Sequence, residues 1–185
     1  MNHLATSKED ILAASRELIK ENGWAAVSIR AVASRCSVSP GTIYNYYESK
    51  TDLLGDTIES IWQEIFFHPE EEVVFHDVAT CITWIYERLE YGNQQFPGFF
   101  SLHSFGFMRE GKMDGKKRMM RTWGHILNGL CDVLKNDPKI RSGVFDEQFT
   151  EKQFADILFS LILVSMIRQD YNPSSELMLI NKTLY

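Results

Sequence analysis

The stretch from Ser28 to Leu54, SIRAVASRCSVSPGTIYNYYESKTDLL, leaves the chain few folds to choose from. Ser28 is an N-cap residue whose hydroxyl can accept a hydrogen bond from an otherwise unpaired amide one turn on. Ile29, Val32, Ala33 and Cys36 then recur at helical spacing on one face, while Arg30, Ser34 and Arg35 fall away from it. Ser37-Val38-Ser39 interrupts the helix and offers one apolar anchor. Ser39 caps again, with Pro40 at the first helical position, where its missing N–H costs nothing. Gly41 leaves that helix start bare enough to approach another molecule. The second helix is expected from Pro40 to about Tyr47. Ile43 and Tyr47 should point inward, and Thr42, Tyr44, Asn45 and Tyr46 outward. Ser49 caps a third helix, with Asp52 three residues on and Lys50 in the first turn. A lysine there opposes the helix dipole, which makes sense if an anion lies nearby in the working state.

Two short helices with a tight connection, the second exposing hydroxyls, an amide and aromatic rings, make a helix-turn-helix whose second helix is placed to enter a major groove. The wording is more specific than the spacing. Ser-Ile-Arg-Ala-Val-Ala, Val-Ser-Pro-Gly-Thr-Ile-Tyr-Asn-Tyr-Tyr and Ser-Lys-Thr-Asp-Leu-Leu closely resemble the N-terminal region of the TetR family of transcriptional regulators. The resemblance runs from about Lys8 to Leu54, under a third of the chain. It implies an all-α protein with a three-helix helix-turn-helix domain over residues 1–48 and a helical regulatory and dimerisation domain over 49–185, of which 49–67 is a connector helix. It also implies a regulator, a repressor released by a small-molecule effector, that binds double-stranded DNA as a homodimer on a palindromic operator. Ser28, Arg30 and Ser39 lie at helix starts where the family touches backbone or groove. Tyr44, Asn45 and Tyr46 can reach base edges or phosphates, and Thr42 and Lys50 look like phosphate contacts. The family often has His where this chain has Tyr46, followed by Phe where it has Tyr47. Tyr46 cannot take a charge, so a pH effect on binding would have to come from elsewhere.

The net charge of −6 is unusual for a DNA binder. Its distribution resolves the conflict. Residues 1–50 hold six Lys/Arg (Lys8, Arg16, Lys20, Arg30, Arg35, Lys50) against five acids (Glu9, Asp10, Glu17, Glu21, Glu48), which leaves 13 against 20 for the remainder. The acidity belongs to the body. Cys36, Cys81 and Cys131 sit in apolar helical patterns and read as free thiols of a reducing, cytoplasmic compartment. The first twenty residues are polar and charged, unlike a signal peptide. The uncharged run Ile157 to Ile167 is too short to span a bilayer. His3, His68, His76, His103 and His125 are never three or four residues apart, so no helical metal pair is expected, and no cofactor. With no phosphate loop or nucleophile elbow either, an enzyme is disfavoured. A second rival is a TetR-like coactivator that has lost DNA binding and acts through protein contacts. Intact Thr42, Tyr44 and Lys50 speak against it.

Along the chain, Thr6 with Glu9 reads as a capping box for a first helix running to about Asn22, ended by Gly23. Trp24 and Val27 are expected to plug the three-helix core. Glu70-Glu71-Glu72 reads as the start of a helix to about Tyr91. Phe96 to Phe107 is aromatic and interrupted by Gly and Ser. Together with Trp84, Met120, Trp123 and Leu127, its Phe99, Phe100, His103 and Phe107 would line an apolar effector cavity or simply form solid core. Lys112, Lys116, Lys117 and Arg118 read as a solvated helix start rather than a second nucleic-acid contact. Helices are expected at about 116–135 and 150–171, with a last one after Pro173. The helix over 150–171 is apolar on almost all sides and must be covered more than once. Phe154, Leu158, Leu161 and Ile162 on it, with Leu177, Ile180 and Leu184 behind, are the expected dimer interface.

Overall fold

A computed structural model describes residues 6–66, 74–100 and 113–185, with side chains from 123 onward in the last span. All regular structure among the described residues is helical: α1 (Lys8–Asn22), a 3-10 turn (Trp24–Ala26), α2 (Ile29–Arg35), α3 (Pro40–Tyr44), α4 (Lys50–Phe66), α5 (Val78–Gln95), α6 (Met113–Asn136), α7 (Glu151–Arg168) and α8 (Ser174–Thr183). The architecture is the expected one, an N-terminal helix-turn-helix head joined to a helical body.

The head closes on a small apolar core. Ile11 and Ile19 of α1, Val27, Val32 of α2 and Ile43 of α3 are completely buried, with Tyr47 and α4's Leu53 beside them. The capping box that starts α1 is made by Ser7 and Asp10, one residue later than the Thr6–Glu9 pair. Thr6 is itself buried and lies ahead of the helix. Trp24 also differs from expectation. Its ring stacks on Phe99 of the body at 5.7 Å, so it joins head to body rather than filling the head's own core.

α4 leaves the head and packs on α1, α5 and α6. Three observations fix it in place. Glu64 accepts ion pairs from Arg16 and Lys20 of α1 at 2.9 Å each. Arg88 of α5 donates to the free carbonyls of Ile65 and Glu64 at α4's C-terminal end, groups that no intrahelical amide can reach. At Gly92, α5 comes so close that an added Cβ would lie 2.6 Å from Ile65 Cδ1 and 3.1 Å from Phe100. α5 itself begins at Val78, capped by Asp77, rather than at the acidic run 70–72, which lies outside the described residues.

In the body, α7 packs on α6 and α8 on α5. α7 carries two apolar faces. Phe154, Leu158, Ile162 and Met166 are at most 3% exposed and face the subunit's own core. Ile157, Val164 and Ile167 are 40% or more exposed, with half-buried Leu161 between them. This corrects the expected interface. Phe154, Leu158, Ile162, Ile180 and Leu184 are interior residues of one subunit, while Leu161 and Leu177 are half-buried. Periodicity showed that α7 needs covering twice but could not show which face the body takes.

Candidate nucleic-acid interface

The turn between α2 and α3 is built by backbone geometry. Ser37 sits at φ 56°, in the left-handed region, and Val38 N–H donates to Ala33 O at 2.9 Å. That reversal sets α3 across α2. Ser28 Oγ accepts from Ala31 N–H at 3.1 Å and Ser39 Oγ from Thr42 N–H at 3.3 Å, so both helix starts are capped as expected. Ser39 and Thr42 also share a hydroxyl hydrogen bond of 3.1 Å. Ser49 and Asp52 cap the start of α4 in the same way, with Asp52 N–H donating to Ser49 Oγ at 3.2 Å.

α3 turns Ile43 into the core and leaves Tyr44 55% exposed, with Asn45 exposed at its end. Tyr46 departs from expectation. α3 ends at Tyr44, and residues beyond it follow a turn rather than helical spacing. Tyr46 is half-buried, and its hydroxyl donates to Thr6 O at 2.6 Å. Its proton is committed to tying the chain ahead of α1 onto the head.

The charges sort cleanly. Lys8 pairs with Asp56 at 2.6 Å, Arg16 with Glu9 and Glu64, and Lys20 with Glu17 and Glu64. Arg35 is held by both Glu21 oxygens, at 2.6 and 2.5 Å. This contact holds the Glu21 carboxyl below the usual carboxylate range and raises the guanidinium, the hydrogen bond being the main cause in each case. Among the described residues of the head, Arg30 and Lys50 have no ionic or hydrogen-bonded partner, and both are exposed. One opens α2 and the other α4, so the two unneutralised cations flank α3 in sequence. Cys36 is half-buried, and desolvation raises its thiol above the ordinary value.

The aromatic residues weighed for an effector pocket fall in separate places. Phe99 and Phe100 are buried in a packed ring cluster with Trp24, Trp62 and Tyr171, with centroids 5.0–6.3 Å apart. Those two are solid core. Trp84 packs with Phe66 and Phe75. Trp123 meets Phe159 at 5.7 Å, and Leu127 is half-buried. His103, Phe107 and the Met120 side chain lie outside the described residues. A depression of about 380 Å³ lined by Arg141, Ser142, Gly143, Val144, Phe149 and Thr183 was not anticipated, and it lies outside that aromatic set. No helix of the described residues is long and apolar enough to cross a membrane.

A capped helix-turn-helix, with an exposed polar second helix and unpaired cations at its flanks, belongs to the class of nucleic-acid-reading heads. Comparison with known proteins shows what this head is similar to. Residues 11–57, the head and the start of α4, match the model of the bacterial regulatory proteins, tetR family. The chain is 43% identical over 44 residues to the HTH-type transcriptional regulator UidR of Escherichia coli K12, which is 24% of this chain and 22% of that protein. It is 38% identical over 58 residues to the HTH-type transcriptional repressor KstR of Rhodococcus jostii, covering 31% and 27%. The match thus spans under a third of these relatives' length. Over the whole fold, a TetR transcription regulator of Haloarcula marismortui superposes with TM-score 0.67 at 19% identity, covering 96% of this chain and 98% of that one. FadR of Bacillus subtilis, solved in complex with stearoyl-CoA, superposes with TM-score 0.64 at 20% identity, covering 94% and 97%.

Proposed function

We propose that this chain is a DNA-binding transcriptional regulator that reads a palindromic operator as a homodimer and releases it when a small molecule occupies the body. The observation that carries the DNA-binding part is the charge sorting. In a head whose other cations are consumed in ion pairs, the two left over flank the exposed polar helix. Residues 1–48 would be the reading domain and 49–185 the regulatory and dimerisation domain, with α4 as connector. Ser28, Ser39, Thr42, Arg30 and Lys50 would hold phosphates, and Tyr44 and Asn45 would meet base edges. The same exposed set disfavours a coactivator without DNA binding. A cytoplasmic location accords with three free cysteines and a DNA partner.

Repression, ligand release and the effector's nature rest on similarity. KstR is named a repressor, and FadR of the same fold was solved with an acyl-CoA. An apolar effector would suit a body this rich in aromatic side chains. Release would require it to bind the DNA-incompetent arrangement more tightly than the competent one.

The test is a salt titration of duplex binding. Each phosphate neutralised contributes about −0.9 to the slope of log affinity against log salt. With two unpaired cations per head, a dimer should show a slope of roughly −4. Lys50→Ala, removing two contacts per dimer, should weaken binding to all sequences alike and bring the slope to roughly −2. A variant with unchanged affinity and slope would remove Lys50, and the charge argument, from the interface.

A further inference from the structure

We infer that the base pairs lying under α3 are A·T pairs, read through thymine methyls by Tyr44 and through adenine by Asn45. The inference rests on the DNA-reading function proposed above and specifies what that function reads.

The commonest specific reader of a base pair is an arginine or lysine donating to guanine O6 and N7 in the major groove. α3 has no such group: it is Pro40, Gly41, Thr42, Ile43 and Tyr44, followed by Asn45. Nor can a neighbour supply one at the centre. Lys8, Arg16, Lys20 and Arg35 are tied to carboxylates. The two free cations belong to the first turns of α2 and α4, on the flanks. Glu48, a carboxylate that could accept from cytosine N4, stands beyond α3 in the connection to α4.

The exposed side chains that remain are few. The Tyr46 hydroxyl already donates its hydrogen bond to Thr6 O. Thr42 is half-buried and shares its hydroxyl with Ser39. Tyr44, 55% exposed, offers a ring face and a hydroxyl, and Asn45 offers a carboxamide. A ring face gains most against the thymine C5 methyl, the one apolar group on the major-groove edge. A carboxamide pairs in bidentate fashion with adenine, its NH2 donating to N7 while its oxygen accepts from N6–H. Both preferences point to the same base pair.

The test starts from selection of duplexes out of a random pool by the full chain, followed by titration against two analogues placed at the selected central positions. Deoxyuridine removes the thymine methyl and 7-deazaadenine removes the N7 acceptor. Deoxyuridine should weaken wild-type binding about fourfold per half-site, the worth of one buried methyl. 7-Deazaadenine should weaken it about tenfold, the worth of one well-made hydrogen bond. The first effect should vanish in Tyr44→Ala and the second in Asn45→Ala. If either variant loses its helical circular dichroism, the analogue series on the wild-type chain decides alone. Selected half-sites with G·C at the positions these variants relax would overturn the inference and leave DNA reading intact. Silent analogues in wild-type protein would do the same. A pool with no sequence enriched over random duplex would overturn the reading function and this inference with it.

Discussion

Ser37 holds the head's geometry at a cost. A side-chain-bearing residue at φ 56° sits in a region that glycine enters freely and serine does not, and the penalty is on the order of 1 kcal/mol. The conformation is imposed by the α2–α3 reversal, where Ser37 N–H donates to Ser34 O at 3.1 Å and Val38 N–H to Ala33 O at 2.9 Å. The Ser37 side chain is exposed and makes no hydrogen bond among the described residues. Ser37→Gly should accordingly raise stability, but only by about 0.5 kcal/mol, because glycine's greater freedom in the unfolded chain offsets part of the relieved strain. Urea unfolding followed by circular dichroism reads this directly, and a midpoint that falls instead would show that the serine side chain contributes something its contacts do not reveal.

At the scale of the element, the clearest device is the start of α5. Asp77 accepts from Thr80 N–H at 2.7 Å and from Lys139 Nζ at 2.6 Å, while Asp137 accepts from Val78 N–H at 2.8 Å. The Lys139 ammonium, followed by the Thr80 amide, holds the Asp77 carboxyl down to about 2. A depressed carboxylate contributes stability that is present above its unfolded value near 3.8 and is lost as pH falls towards 2. Lys139 is largely exposed, so solvent screening limits the ion pair to about 1 kcal/mol. Asp77→Asn, which keeps a capping oxygen, should cost about that much at pH 7 and progressively less below pH 4; a constant penalty down to pH 2.5 would contradict the linkage. Neither partner was legible in the sequence, because Asp77 and Lys139 are far apart in the chain and periodicity sees only neighbours. The head was legible because its signals are local: Ser28, Ser39-Pro40 and Ser49 mark helix starts within a few residues. Local signals also misled. Helical spacing continued past Tyr44 puts Tyr46 outward, but the backbone turns there. Proximity in sequence assigns Trp24 to the head's own core, whereas its partner, Phe99, lies in the turn that follows α5.

For the whole molecule, what matters is how many copies act together. On the dimeric reading proposed above, one α3 would cover one half-site, and two would have to lie about 34–36 Å apart to enter successive major grooves. The surface that would join two copies is the second apolar face of α7. Ile157, Val164 and Ile167 are 44%, 40% and 49% exposed, and Met178 of α8 is 60% exposed. Spacings of three, four and seven residues put Ile157, Leu161 and Val164 in one row along the helix. A symmetric partner would use the same row, making an isologous interface. The inward row provides the control that separates association from folding. Ile157→Glu or Val164→Glu places a charge on an already exposed position and should leave the subunit folded. Leu158→Glu buries an unpaired carboxylate at a fully buried position, a change expected to unfold the body. In sedimentation at micromolar protein, the wild-type chain should run at twice 21.4 kDa, while Ile157→Glu should run at 21.4 kDa with unchanged helical content. Operator binding by Ile157→Glu should fall at least tenfold, since each head then holds its half-site without the linkage that the second provides. A wild-type chain that sediments at 21.4 kDa, or an Ile157→Glu chain that stays dimeric, would place the joining surface elsewhere or remove it.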